Sequence, residues 1–547
     1  NYQIGLLDVC DSPYPETIAA VRQAGAEMYA RRAGKGSGGS GAGTGTAALF
    51  DGRTLDGWSA SSDERKDRLV EGSLRIRGRD QALVQTDAIP SVPSGSKAVR
   101  WTFEVCTRGG GPAAVVVRPT ETLGCGQAPL ALAIDNRPVG DEAAGAAART
   151  GSIVGLRHLA KSIAADDRWF TLRLTVGQGR VAVECDGVLL VDCPVMNDEN
   201  SAAETANLLN RYLASAPELA PGSLALSPGA DQQGEVLVRR VSVEAADQSA
   251  AGRWFPDDSA GAGAGATAGA SADVGPRAEA ASRPDRAVVA LLRRGYPVVN
   301  YHAHLKGDLT IDGLLEDQRR TGIFYGVAIN CGKGFPITTD AAAENFLASM
   351  KRQPVLLGMQ AEGREWLSMF SPEQIARFDY VFTDSMTFTD HRGQRTRLWM
   401  PDEVDVPDPQ AFMDMLTTVT VKILETEPID IYANPTFLPA AIAADYDRLW
   451  TNERIDRIIA AAVKNDVAIE INDRYRLPRE PFLKRAKEAG AKFAFGVNNT
   501  DRQLGRLEYC FEMIERCGLK PSDFFIPKPD GKKKVQLRAA QPTTASP

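Results

Sequence analysis

Two runs of glycine, alanine and serine limit how this chain can fold. Residues 33–46 read AGKGSGGSGAGTGT and residues 259–272 read SAGAGAGATAGASA. Neither run carries side chains that can bury apolar surface, so both are expected to act as flexible linkers. They set apart a short piece at residues 1–32, a middle block at 47–246 and a C-terminal block at 286–525. Residues 247–285 form the second linker, and 526–547 a polar tail. At 547 residues the chain exceeds what one hydrophobic core supports. Both blocks have the size of a single domain. The first piece is predicted to be an amphipathic helical fragment, with Ile18, Val21, Gly25 and Met28 on one face and Pro15 in the first turn.

Charge and apolar runs exclude several classes of partner. A net charge of −7 leaves no basic excess to meet nucleic-acid phosphates or an anionic membrane. No run of about 18 apolar residues is present to span a bilayer. The eight cysteines are scattered without a CxxC pair and read as buried free thiols. The sequence begins at Asn1, so a signal peptide is neither seen nor excluded, and neither compartment nor oligomeric state is indicated.

The middle block has the period of strands. In KAVRWTFEVC, Val99, Trp101, Phe103 and Val105 alternate with Arg100, Thr102 and Glu104. Phe170, Leu172, Leu174 and Val176 repeat the pattern, and Asp186-Gly187 marks a hairpin. Val236 and Val238 are out of phase with Val241 and Val243, which predicts a bulge at Arg239–Arg240. Many strands separated by turn residues predict an all-β sandwich.

In the C-terminal block, short apolar strands alternate with helical stretches, the pattern of a parallel sheet. Seven strand candidates stand out: PVVNYHAH, YGVAINC, VLLGMQAEG, YVFTDSM, IDIYANP, VAIEIN and KFAFGVNN. Seven favours a closed α/β barrel over an open sheet. Nearly every candidate is apolar until its C-terminal end and then finishes in a ligand-type side chain. These are His302 and His304, Asn330, Gln360 and Glu362, Asp384, Asn434, Glu470 and Asn472, and Asn498 with Asn499. In parallel barrels the active site is built at that end.

His302-x-His304 is the sharpest element, because residues two apart on a strand point the same way and both imidazoles can reach one ion. The expected cofactor is a divalent metal (zinc, manganese or magnesium) on His302, His304 and Glu362, joined by Asp384. Such an ion would acidify a bound water. Glu470 and Asp384 are the candidate catalytic groups of this block. Lys306, Arg364, Asn434, Asn472, Asn498 and Asn499 are the candidate substrate-binding residues.

With HAH after its first strand, AEG at the third, AIEIN late in the chain and a last strand leading into GVNNTDRQLGR, this block resembles the polymerase-and-histidinol-phosphatase superfamily. The resemblance implies a distorted (β/α)7 barrel, two or three metals and phosphoester cleavage. The chain departs from that pattern at Asn434-Pro435, at Asn498-Asn499-Thr500 and at Ser385-Met386-Thr387, where imidazole and carboxylate ligands are expected. Amides are poorer metal ligands, so one metal is expected rather than three. Amides also suit hydrogen bonding to sugar hydroxyls.

The middle block resembles the 3-keto-disaccharide hydrolase domain family. Three segments in order carry the match: LFDGRTLDGW, then TGSIVG leading to RWFTLRLTVGQGRVAVECDGVLLVD, then GSLALSPGADQQGEVLVRRVSVE. This implies a concanavalin-like jelly-roll sandwich acting on oxidised glycosides. Where that family has polar residues, PLALAIDN retains only Asp135. Glycoside cleavage usually needs two carboxyl groups, so Asp135 and Glu104 are the acids to test. Three functions stay open: a carbohydrate-processing hydrolase acting on (3-keto-)glycosides, a phosphoesterase with a sugar-binding targeting domain, and a non-catalytic carbohydrate-binding protein.

Overall fold

The computed structural model describes residues 46–246 and 286–539, apart from 60–64, 79, 86–97, 127, 141–147, 196–200, 215–216, 231–233 and 391. The helix expected within residues 1–32, nearly all of both linkers and the last residues of the tail lie outside this range. The described residues belong to one compact unit.

The first half is two antiparallel sheets face to face. Its strands are β1 (Ala47–Phe50), β2 (Leu69–Val70), β3 (Ser73–Arg77), β4 (Leu83–Val84), β5 (Ala98–Arg108), β6 (Ala113–Val117), β7 (Leu130–Ile134), β8 (Phe170–Gly177), β9 (Arg180–Cys185), β10 (Val188–Pro194), β11 (Leu224–Pro228) and β12 (Glu235–Ala245). The larger sheet runs β10-β9-β8-β5-β12-β3-β2, with β1 also on β12; the smaller runs β4-β11-β6-β7. Alternation along β5 turns Trp101, Phe103 and Val105 into the core and leaves Arg100, Thr102 and Glu104 on the outer face. The pairing of β12 with β5 shifts register between Val238 and Arg240, so one extra residue lets Val236, Val238, Val241 and Val243 all face inward.

The outer face of the smaller sheet is covered as well. Ala114, Ala131, Ala133 and Ala225 are small enough to let the helix Ser201–Tyr212 settle on them through Leu208 and Leu209.

The second half is a closed barrel of seven parallel strands. They are β13 (Val299–Ala303), β14 (Phe324–Gly332), β15 (Leu356–Glu362), β16 (Tyr380–Thr383), β19 (Ile431–Tyr432), β20 (Ala468–Asn472) and β21 (Phe493–Gly496); β17 (Thr387–Thr389) and β18 (Arg395–Arg397) form a hairpin between β16 and β19. Each of the seven strand candidates in the sequence overlaps one barrel strand. Helices begin where short polar caps stand: Thr310, Thr339, Ser371, Asp408 and Thr451 each accept a hydrogen bond from a first-turn backbone N–H. Gly326 and Gly358 leave the space that the Tyr380 ring fills inside the barrel, and its hydroxyl donates to Tyr301 O at 2.5 Å.

One apolar cluster joins the two halves, holding Phe103 and Leu172 of the sandwich together with Val299, Tyr301, Phe324 and Phe382 of the barrel. At the seam the Arg157 guanidinium donates to Arg319 O and Arg320 O at 3.1 Å each, closing the C-terminus of the helix Ile311–Thr321. Lys161 pairs with Asp379 at 2.8 Å. A small cavity there is lined by His158 and Arg149 on one side and by Val298, Val299 and Phe324 at the strand starts on the other. The described sandwich residues thus pack against the N-terminal end of the barrel. Among the described residues no helix is long and apolar enough to cross a membrane, and the seven described cysteines are buried and unpaired.

Candidate functional site

The strand ends at the barrel mouth bring most of the expected polar residues into one buried network. His302 and His304, at and just past the end of β13, lie with ring centroids 5.2 Å apart and planes at 71°. His302 Nδ1 stands 2.7 Å from Glu470 Oε1 on β20. A carboxylate accepts there, so Nδ1 carries the proton and Nε2 faces away from Glu470. His304 Nδ1 likewise donates to Ala328 O at 3.0 Å. Both Nε2 atoms are buried without a hydrogen-bond partner. Burial, the charges of His302 and Lys306, and little compensation hold His304 well below the ordinary imidazole range, so it is neutral.

Glu470 is the hub. Its other oxygen accepts from Asn434 N at 2.6 Å and from Asn472 Nδ2 at 3.1 Å. A Cβ at position 496 would overlap Glu470 Oε1, so Gly496 on the neighbouring strand makes the space for this carboxylate. Asn434 Nδ2 donates to Asp384 Oδ2 at 2.8 Å, and Asn434 Oδ1 accepts from Asn472 at 3.2 Å and Asn498 at 3.1 Å. Asn434 and Asn498 both adopt positive φ, 46° and 55°, a conformation asparagine tolerates better than most residues. Thr436, β-branched and at φ 62°, marks the loop after β19 as strained.

Two further acids complete the floor. Glu362, last residue of β15, accepts from Asn330 Nδ2 at 2.8 Å through Oε1, while Oε2 has no partner. Burial, reinforced by the charge of Asp384, pushes the Glu362 carboxyl up to about 8. Asp384 is raised too, chiefly by burial, and its Oδ1 accepts from Met386 N at 2.9 Å. Gln360 is near enough to His304 to favour its charged form without closing a hydrogen bond, and its Oε1 is unpartnered.

Other expected residues have different work. The Arg364 guanidinium donates to Glu427 Oε1 (2.7 Å), Thr383 Oγ1 (2.9 Å) and Asp384 O (3.2 Å), which fixes the loop after β16. Asn499 pins strand end to loop, accepting from His304 N at 2.7 Å and donating to His304 O at 2.9 Å. Lys306 is half-buried beside the mouth. The sandwich acids join neither each other nor the barrel site. Asp135 is fully buried and bound by Arg137 and Arg149 at 2.7 and 3.0 Å. Glu104 lies on the outer sheet face, paired with Arg239 (2.6 Å) and Arg240 (3.2 Å). Asp135 has no exposed surface, and Glu104 is engaged by two arginines on the sheet face.

Sequence reading missed three contributors. Asn300 accepts from His302 N at 3.0 Å, Phe382 packs edge-on against the His302 ring at 4.7 Å, and Gly496 shapes the Glu470 niche. Asn300 lies two residues before His302 on the same strand face, which was the available signal; the other two come from strands distant in sequence.

The unpartnered nitrogens are of the kind a divalent ion takes. The arrangement falls short of a closed centre: among the described residues no three His, Cys, Asp or Glu side chains gather to hold one ion. Asp384 is instead turned to amide and backbone N–H groups, and Glu470 to His302 Nδ1 as well as to such groups. The residues present do not fit a multi-metal centre.

Residues 45–244 match a family model described as a 3-keto-alpha-glucoside-1,2-lyase-like domain, so the sandwich is a carbohydrate-related domain similar to that family. No curated protein matches the chain. Similar solved structures include a histidinol phosphate phosphatase from Lactococcus lactis complexed with zinc, L-histidinol and phosphate (12% identity, TM-score 0.31, covering 42% of this chain and 97% of that one). A carbohydrate esterase from a Shiga toxin-encoding bacteriophage shows 14% identity and a TM-score of 0.24, covering 37% and 100%. A carbohydrate-binding module from Bacillus subtilis shows 11% and 0.19, covering 37% and 96%. Scores of this size support no conclusion about activity.

Proposed function

We propose that this chain is a carbohydrate-processing hydrolase acting on glycosides or their 3-keto derivatives, with its chemistry at the barrel mouth and its sandwich, of concanavalin-like jelly-roll type, closing the far end of a (β/α)7 barrel. The observation that carries the reading is His302, braced by Glu470 through Nδ1 and with a buried, unpartnered Nε2. Cleaving a glycosidic bond calls for an acid that protonates the leaving oxygen and a base that takes a proton from water or, beside a keto group, from carbon. Glu362, held protonated near neutral pH, supplies the first; His302 Nε2 supplies the second. The family to which residues 45–244 are similar, and the amides of Asn434, Asn472 and Asn498 around the mouth, support a sugar as the substrate.

The purified full chain is expected to turn over a 3-keto-glucoside or an unmodified disaccharide, and His302→Ala to abolish that turnover. Release of phosphate from a generic ester, with no action on either sugar, would overturn the proposal in favour of a phosphoesterase. A second reading, one divalent ion on His302, His304 and Glu362 with Asp384 beside it, is favoured by the two bare Nε2 atoms. Elemental analysis separates the two. A stoichiometric transition metal lost in the His302→Ala/His304→Ala double variant would establish the second.

A further inference from the structure

The turn after β19 runs against its own sequence. Asn434 and Thr436 both hold positive φ, 46° and 62°. Asparagine adopts that region readily, but a β-branched residue there is an outlier, and such a turn persists only where its surroundings hold it. Two aromatic side chains do so. The Tyr446 hydroxyl donates to Thr436 Oγ1 at 2.6 Å, and Trp450 Nε1 donates to Thr436 O at 2.9 Å. Thr436 Oγ1 donates in turn to Pro435 O at 2.6 Å. Thr436, Tyr446 and Trp450 are all buried, so a bond lost here leaves a polar group away from water. Tyr446 opens the short helix Tyr446–Leu449, and Trp450 follows it directly. Both rings belong to the apolar core of the barrel half, and the Arg479 guanidinium lies 4.2 Å over the Tyr446 ring.

We infer that Tyr446 and Trp450 are positioning residues for the chemistry at the mouth: by clamping Thr436 they hold Asn434 against two of its acids. The inference rests on the hydrolase reading above and deepens it. The path from clamp to base is short. Asn434 lies two residues before Thr436; its backbone N–H meets Glu470 Oε2 at 2.6 Å, and its side-chain amide meets Asp384 Oδ2 at 2.8 Å. Glu470 Oε1 then braces His302 Nδ1 at 2.7 Å. Both bonds from Asn434 need one backbone direction, and release of Thr436 to negative φ would turn the chain between them and the clamp. Among the described residues neither aromatic side chain bonds an acid or imidazole of the mouth, so each acts through the turn.

Amide hydrogen exchange and steady-state kinetics on the full chain test this together. Tyr446→Phe removes one hydroxyl and keeps the ring. Exchange across residues 431–437 is expected to quicken about three- to tenfold, the worth of one hydrogen bond, with Phe324–Gly332 across the barrel unchanged. On a 3-keto-glucoside, kcat should fall at least about threefold while KM stays within about twofold. Adding Thr436→Gly, which takes positive φ without steric penalty, should recover most of the lost kcat and slow the exchange again. Trp450→Phe should act in the same direction as Tyr446→Phe. Unchanged exchange at residues 431–437, an equal rise in both segments, or no recovery on adding Thr436→Gly would each overturn the inference. An unmodified chain that converts neither a 3-keto-glucoside nor a disaccharide counts against the hydrolase reading instead, and the exchange comparison then still decides whether the clamp holds Asn434.

Discussion

Replacing Asp135 by asparagine distinguishes a structural acid from a catalytic one. The carboxylate has no exposed surface, and the Arg137 and Arg149 side chains around it are 6% and 4% exposed. Its Oδ1 accepts from Arg137 N, Arg137 Nε and Arg149 Nη1, each at 3.0 Å, and its Oδ2 from Arg137 Nη2 at 2.7 Å. Asparagine keeps the shape but removes the negative charge that both buried guanidinium groups bond. Breaking a buried pair by removing one partner costs about 3–5 kcal/mol, because the remaining charge stays desolvated. Asp135→Asn is therefore expected to lose about that much in urea unfolding of the full chain, while the molecules that remain folded keep their turnover per site. A loss below about 1 kcal/mol together with abolished turnover would refute this reasoning and return Asp135 to a catalytic role.

Three further perturbations follow from the same structure. Gly496→Ala puts a methyl group into the niche of Glu470 Oε1; turnover should drop at least about tenfold with KM little changed, and full activity would show that the niche does not position the acid. The Glu362 carboxyl goes from 4.5 when unfolded to about 8 when folded, so the native chain binds the extra proton and stability should fall as pH rises across that window. Glu362→Gln mimics the protonated form and should flatten the fall, by at most about 5 kcal/mol at about 1.4 kcal/mol per decade of pH; identical unfolding profiles from pH 5 to 9 would contradict it. Arg157→Ala leaves Arg319 O and Arg320 O without their donor at the seam, with an expected loss of about 1–3 kcal/mol in unfolding; no loss would show that the seam contributes little to holding the halves together.

The sequence carried the periodicities plainly, and with them both sheet types. Seven apolar runs ending in polar side chains became seven barrel strands, because a strand buried in a closed barrel must be apolar except where its end meets the mouth. The phase slip between Val238 and Val241 foretold the bulge for an equally local reason. Pairings between distant segments were not legible. Arg364 reads as a rim cation until Glu427, far along the chain, is seen to hold it. Asp135 reads as a surviving catalytic acid until Arg149 closes on it. The asparagines at 434, 472 and 498 were legible as replacements for ligands, but their role in satisfying Glu470 and Asp384 needs the strand order. The shared core of sandwich and barrel, and the helix seated on Ala131 and Ala133, depend on tertiary packing that composition does not encode.

The brace on His302 is open to one direct measurement: steady-state kinetics of Glu470→Gln on a 3-keto-glucoside. Loss of the carboxylate leaves Nδ1 without its charged partner, so kcat should fall about 10²- to 10⁴-fold, the usual worth of a positioned base, while KM changes little. Unaltered kcat in a correctly folded Glu470→Gln chain would contradict the account.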